Sequence, residues 1–322
     1  MPDGLVNAVQ LSGNGAPMQL SKQQALEFSP EQGLVWLHFN YKHPATERWL
    51  TEESGLTMLE TDALLAQDTR PRILRSGDGL LLALRGINLN PGADPEDMVS
   101  LRLYVSQHRI ITTSSRDLLS VKGLAQDIVA GNGPDNSGGF LLSMCERLTD
   151  RNVTFIDQLE ERLDELEDKL LEGDRRDLRT DIAELRRQTV VVRRYLAPQR
   201  DAFSKLLNDS AGIYDEHQRL AFNEVNDTLV RGIEDLDSVR ERATVAQEEL
   251  QNHQSEAVNQ RLYFLSLISA VFLPLGFLTG LLGVNIAGIP GAETPWAFTA
   301  FCTGLVLIVA VQLWFFYRHR WL

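Results

Sequence analysis

Two uncharged apolar runs, residues 262–282 and 296–317, lie close together near the end of this 322-residue chain and constrain it more than any other feature. Neither contains Asp, Glu, His, Lys or Arg. A helix of roughly 20 apolar residues crosses a hydrocarbon layer of about 30 Å. Lipid leaves no water for the backbone, so each run must satisfy its own N–H and C=O groups as a helix. The long stretch before residue 262 is mostly polar. The chain therefore reads as a large water-soluble part followed by a hairpin of two membrane spans. A mean hydropathy of -0.16 averages these two parts and hides the spans.

The flanking charges orient the hairpin. Arg261 precedes the first run, Arg318 and Arg320 follow the second, and the loop at 283–295 carries no Lys or Arg and one acid, Glu293. Basic residues stay inside, so both termini are expected in the cytoplasm and the loop outside. Tyr263, Trp296, Trp314, Tyr317 and Trp321 are placed to anchor the spans at the interfaces. No basic-then-apolar leader opens the sequence.

The formal net charge of -13 argues against nucleic acid as a partner, because phosphate binding needs a basic face. It suits a surface that attracts cations, as well as plain solubility. Cys145 and Cys302 make neither a disulfide framework nor a zinc set. His38, His43, His108, His217 and His319 are scattered without ligand spacing, and no phosphate loop or nucleophile elbow is present. The expectation is a protein that is not an enzyme and has no cofactor, with no intrinsic nucleotide hydrolysis.

The first part alternates strands and short helices. Residues 34–39 read as a buried strand, and 72–74 with 80–87 flank the hairpin signal Ser76-Gly77-Asp78-Gly79. Residues 99–105 and 110–113 read as a second hairpin, 88–96 as a loop and 118–130 as a helix. The run 131–139 (GNGPDNSGG) reads as a breaker and a boundary. Beyond it, Leu148, Phe155, Leu159, Leu163, Leu166 and Leu170 recur at helical spacing across 141–171. A helix resumes at 175–196, with Pro198 marking a kink or a new start. From Asp215 no proline intervenes before Pro274, so the stalk and first span read as one helix of about 100 Å at 1.5 Å per residue. The expected layout is an α/β cytoplasmic domain at 1–139, a helical region at 140–214, a stalk helix at 215–261, spans at 262–282 and 296–317 joined by 283–295, and a basic tail at 318–322. One hairpin can barely enclose a polar path, so a transporter built this way needs a symmetric ring of subunits.

Gly283-Val284-Asn285, at the end of the first run, carries a signature. Two C-terminal spans with Gly-x-Asn closing the first resemble the CorA superfamily of divalent-cation transporters. The stretch Thr279-Gly280-Leu281-Leu282-Gly283-Val284-Asn285-Ile286-Ala287-Gly288-Ile289-Pro290-Gly291 resembles its ZntB-type zinc branch, whereas magnesium-type members usually carry Gly-Met-Asn. Tyr195-Leu196-Ala197-Pro198-Gln199-Arg200 and Thr69-Arg70-Pro71-Arg72 resemble that branch too. The resemblance implies a homopentamer with a cytoplasmic funnel, long stalk helices, a pore lined by the first span and an outer ring formed by the second. It assigns Gly283, Val284 and Asn285 to the outer mouth, with Asn285 contacting the hydrated ion. An amide oxygen suits that task, because it meets a cation or its water shell without a trapping charge. The same residues also suit a helix C-cap.

Counting back from Asn285 at helical spacing, the face expected to line the pore carries Gly280, Gly276, Leu273, Ser269, Ser266 or Leu265, Leu262 and Asn259. Leu273 is the expected apolar constriction and Pro274 the expected bend. The alternative for this face is ordinary packing of small residues between helices. Zinc favours Cys, His and carboxylate in a tetrahedral set, and the spans offer none, so no first-shell metal site is assigned. A passing Zn2+ would stay largely hydrated, and Co2+, Ni2+ or Cd2+ would also pass. Proton-coupled uptake has been proposed for the branch. Proton coupling needs titratable groups, which lie only at the mouths: Glu293 outside, and Glu248, Glu249, His253 and Glu256 inside, with Asn259 beside them. Glu293 would also concentrate cations before entry. The alternatives left open are a magnesium or cobalt transporter, zinc efflux rather than uptake, and a membrane-anchored scaffold or sensor.

Overall fold

The computed structural model describes residues 4–13, 16–67, 69–172, 177–208, 213–283 and 294–318. These fall into two compact units, Met1–Gln247 and Glu248–Leu322.

The first unit is built on a seven-stranded mixed sheet. Its strands are β1 (Leu5–Gly13), β2 (Met18–Gln19), β3 (Gly33–Asn40), β4 (Arg72–Ser76), β5 (Gly79–Gly86), β6 (Val99–Val105) and β7 (Arg109–Ser114). The order across the sheet is β2-β1-β3-β7-β6-β5-β4. All neighbours are antiparallel except β3 and β7, which run parallel with Val35 beside Arg109 and Asn40 beside Ser114. Both hairpins read from the sequence are present, β4–β5 and β6–β7. Strand β1 and the short helices α1 (Lys22–Leu26), α2 (Pro44–Arg48) and α3 (Met58–Leu65) fill the remainder.

Strand β3 is buried on both sides, which explains an apolar run interrupted only by His38. Val35, Leu37 and Phe39 join Trp49, Leu50 and Leu64 in one core cluster. Trp36 points the other way, edge-on to Phe140 with ring centroids 4.8 Å apart. Its indole N–H donates to Thr112 Oγ1 at 2.8 Å. His38 lies beside it, and burial holds its imidazole down at about 4, with Asp117 opposing that shift.

Helix α4 (Leu119–Val129) closes the sheet unit, and three long helices follow: α5 (Ser137–Glu172), α6 (Leu178–Asn208) and α7 (Glu216–Leu282). Two sequence expectations change here. The breaker at 131–139 ends early, because Ser137, Gly138 and Gly139 already belong to α5. Asn136 caps that start by accepting the Gly139 N–H at 2.8 Å. A Cβ on Gly138 would stand 2.3 Å from the Ile213 carbonyl and 2.4 Å from Gln218 Oε1, so glycine marks close packing here and not a turn. Pro198 lies inside α6, which continues to Asn208, and so neither ends the helix nor starts a new one. Packing outweighs the missing N–H: Leu196, Gln199, Ala202 and Phe203 are all buried around it.

The periodic residues of α5, from Leu148 to Leu170, are all buried. They form a seam with Leu178, Ile182 and Leu185 of α6 and Leu229, Ile233 and Leu236 of α7, all of which are buried too. Charges rim this seam. Carboxylates of the acidic run of α5 reach an arginine of a neighbouring helix. Arg242 of α7 meets Asp164 and Glu167 at 2.5 Å each and Glu160 at 3.7 Å, while Arg162 faces Asp181 of α6 at 4.0 Å. Arg193 grips Asp237 with two bonds of 2.6 and 3.0 Å. Helix α7 begins on a reciprocal cap, with Asp215 accepting from the Gln218 backbone at 2.7 Å and the Gln218 side chain accepting from Asp215 at 3.2 Å. As expected, it then runs unbroken for 67 residues.

Candidate functional site

The second unit holds the end of α7 and helix α8 (Ala297–Arg318). Both helices are long and apolar enough to cross a membrane. In the first span, Leu267, Val271, Pro274, Leu275 and Leu278 are half-buried. Their spacing puts them on one stripe of the helix. This stripe is turned toward α8: Leu275 lines a groove with Leu305, Val306 and Leu313, and Leu267 lines one with Phe316. Leu262, Ser266, Ser269, Leu273, Gly276 and Gly280 are all exposed in the single chain. They share the opposite face, with Ser266 and Gly276 at its edges, where each borders a groove.

The polar groups on these helices are partly committed. Ser269 Oγ donates to the Leu265 carbonyl at 2.9 Å, which uses its hydrogen and leaves oxygen lone pairs outward. Thr279 Oγ1 donates to Leu275 O at 2.9 Å and Thr303 Oγ1 to Thr299 O at 2.8 Å. At the end of α7 the Gly283 N–H donates to Thr279 O at 2.9 Å. A Cβ on Gly283 would stand 2.7 Å from that same oxygen, so a larger residue there would shift the helix end. Val284, Asn285 and Glu293 lie outside the described residues.

At the other end of the span, His253 sits between two acids of its own helix. Its Nε2 is 3.8 Å from Glu249 and its Nδ1 3.8 Å from Glu256. Glu248 and Asn259 are exposed and share a face of the helix turned away from His253. Residues five apart diverge by about 140°, so Glu248 and His253 do not form a pair within one chain. Among the described residues, no group of three or more His, Cys, Asp or Glu could hold a metal ion. Cys145 is buried, and burial pushes its thiol well above the usual range, which leaves it inert.

Gln312 of α8 was not singled out by sequence reading. Its Nε2 donates across to the Ala270 carbonyl at 3.3 Å. The signal was present: a single side-chain amide in one uncharged span, and a proline four residues after Ala270 in the other.

The chain matches the family described as CorA-like Mg2+ transporter protein over residues 31–318. This chain belongs to that family. The CorA-like match takes in strands β3 to β7, the long helices and both apolar spans. As a CorA-like chain it is a membrane protein of a transporter family. It is 40% identical over 319 residues to the zinc transport protein ZntB of Pectobacterium carotovorum, covering 99% of this chain and 96% of that protein. It is also 40% identical over 323 residues to the divalent cation transporter CmaX of Pseudomonas aeruginosa, covering 99% and 97%. The solved structure of full-length CmaX superposes with a TM-score of 0.86 at 38% identity, over 100% of this chain and 99% of that one.

Proposed function

We infer that this CorA-like protein carries divalent cations, Zn2+ foremost, inward across the bacterial inner membrane through a pore lined by the first span. The observation that carries this reading is the bare face of α7. Leu262, Ser269, Leu273 and Gly280 lie exposed on the side turned away from α8, with Ser266 and Gly276 at its edges, and none is charged. Lipid can cover such a face, but its small residues and the outward oxygen of Ser269 also let water stand beside it. A ring of copies, five by the family resemblance, turns it toward a shared axis and supplies the water. The relatives' names, a zinc transport protein and a divalent cation transporter, support the cargo class.

The chemistry of passage follows from what the face lacks. It carries no thiolate, imidazole or carboxylate to replace the water shell of zinc. Hydroxyl oxygens and exposed backbone hold waters, so the ion moves largely hydrated, and Co2+, Ni2+ and Cd2+ are expected to follow. Asn285, with Gly283 and Val284, meets the hydrated ion at the outer mouth, and Glu293 raises its local concentration. Inside-negative potential favours entry by about 2.3 kcal/mol per charge per 100 mV. Both termini lie in the cytoplasm on this reading. Proton coupling would act through Glu293 outside and the Glu249–His253–Glu256 run inside. The second reading is Mg2+ transport, favoured by the description of the family itself.

The test is ion flux into liposomes holding the purified full-length protein, with and without an inward proton gradient, beside Asn285→Ala. Zinc entry that is lost in the variant supports the reading, and acceleration by the gradient adds proton coupling. Magnesium entry without zinc entry moves the protein to the second reading. No flux of any divalent ion leaves the scaffold or sensor role.

A further inference from the structure

Pro274 has no N–H, so the carbonyl four residues earlier, Ala270 O, loses its helical donor. In water such a carbonyl is solvated; in a bilayer it must find a partner within the protein. Here that partner comes from the other span. Gln312 Nε2 donates to Ala270 O at 3.3 Å. The hydroxyls of Ser269, Thr279 and Thr303 bond back to their own helices, whereas the Gln312 amide reaches across. Its other end is not spent elsewhere: Oε1 is buried and has no partner among the described residues. A buried amide with one end unpaired is costly, so a purely packing role would be better served by an apolar residue.

The clasp acts beside Leu273, the residue expected to form the constriction. Leu273 precedes Pro274 directly and lies on the side away from α8, while Gly276 follows within one turn at the edge of that face, where it borders a groove with α8. A proline bend is a soft joint unless its freed groups are held. We propose that Gln312 is a positioning residue for ion passage: by clasping the carbonyl that Pro274 releases, it fixes the bend of the lining helix and so the placement of Leu273 and Gly276 toward the ion. The inference rests on the pore reading above and names a residue that does not itself meet the ion.

The test is a double-mutant cycle in full-length protein in liposomes, reading Zn2+ and Mg2+ flux side by side. Gln312→Met keeps length and removes the donor. Pro274→Ala returns a backbone N–H to Ala270 and makes the clasp redundant. Gln312→Met alone is expected to change the Zn2+ to Mg2+ flux ratio by about fivefold, and to leave the ratio unchanged in the Pro274→Ala background. A purely structural residue would scale both ions together. An active wild type in which Gln312→Met leaves the ratio intact, or shifts it equally in both backgrounds, overturns this inference alone. A wild type without divalent flux overturns the pore reading and takes this inference with it.

Discussion

His38 and Thr112 face each other across the parallel β3–β7 pair, with Nδ1 and Oγ1 2.8 Å apart. The network assigns the proton. Ser114 Oγ spends its hydrogen on the Arg116 carbonyl at 2.7 Å, so it can only accept from His38 Nε2 at 3.3 Å. Nδ1 then accepts from Thr112, whose oxygen accepts from Trp36 in turn. The ring is neutral and satisfied, and protonating Nδ1 would break the bond from Thr112.

This fixes a pH response. Burial holds His38 at about 4 in the folded protein, against roughly 6.5 when unfolded. Between those values the unfolded chain binds a proton that the folded one refuses. The contribution is therefore complete above pH ~6.5 and is lost as pH falls toward 4, reaching about 3 kcal/mol at most. The unfolding midpoint of the purified full-length protein is expected to drop across this window, and to drop less in His38→Gln. Parallel curves for the two proteins would refute the assignment.

Gly138→Leu is expected to destabilise the first unit. Its side chain would meet the Ile213 carbonyl and Gln218 at the start of α7. Overpacking of this kind costs roughly 1–3 kcal/mol. Thermal unfolding checks it, and a midpoint equal to wild type would mean that the helix ends separate freely.

Arg242→Met leaves Glu160, Asp164 and Glu167 facing one another without their shared cation. The hydrogen bonds that Arg242 donates to Glu167 and Asp164 hold its guanidinium above its usual range, so the charge is firmly kept. The groups are part-exposed, and screening limits the loss to no more than about 1 kcal/mol. The deficit should shrink in high salt. A salt-independent deficit would point to lost packing by the arginine stem instead.

Leu273→Ser should raise flux if the leucine is the apolar constriction. A hydroxyl wets a narrow passage that a leucine keeps dry. Faster zinc entry into liposomes, by several-fold, is the expected outcome, and unchanged or slower entry would place the constriction elsewhere.

The parts legible in the sequence are those with a strong period or a fixed local rule. The hairpins at Ser76–Gly79 and Ser106–Arg109 announce themselves through turn residues between apolar runs, and the leucines of α5 through their spacing. The parts that were not legible depend on partners far along the chain. Asn136 is a local cap signal for α5, but nothing local says that a glycine is needed at 138, because the close neighbours there are Ile213 and Gln218. Pro198 looks like a helix break until the buried residues around it are seen. The face proposed to line the pore could be counted back from Asn285, whereas Gln312, a lone amide in its span, showed its partner only when the second span was laid beside Pro274.

The lone parallel pair in the sheet also sets an order of assembly. The β4–β5 and β6–β7 hairpins join neighbours, and β5 pairs with β6 across a short connection. These loops are short and close quickly. Strand β3 meets β7 only by linking Val35 to Arg109, across the whole of the intervening chain. Its loop-closure cost is repaid only after β7 stands ready. The four-strand meander should therefore form first and serve as the template on which the amino-terminal strands dock last.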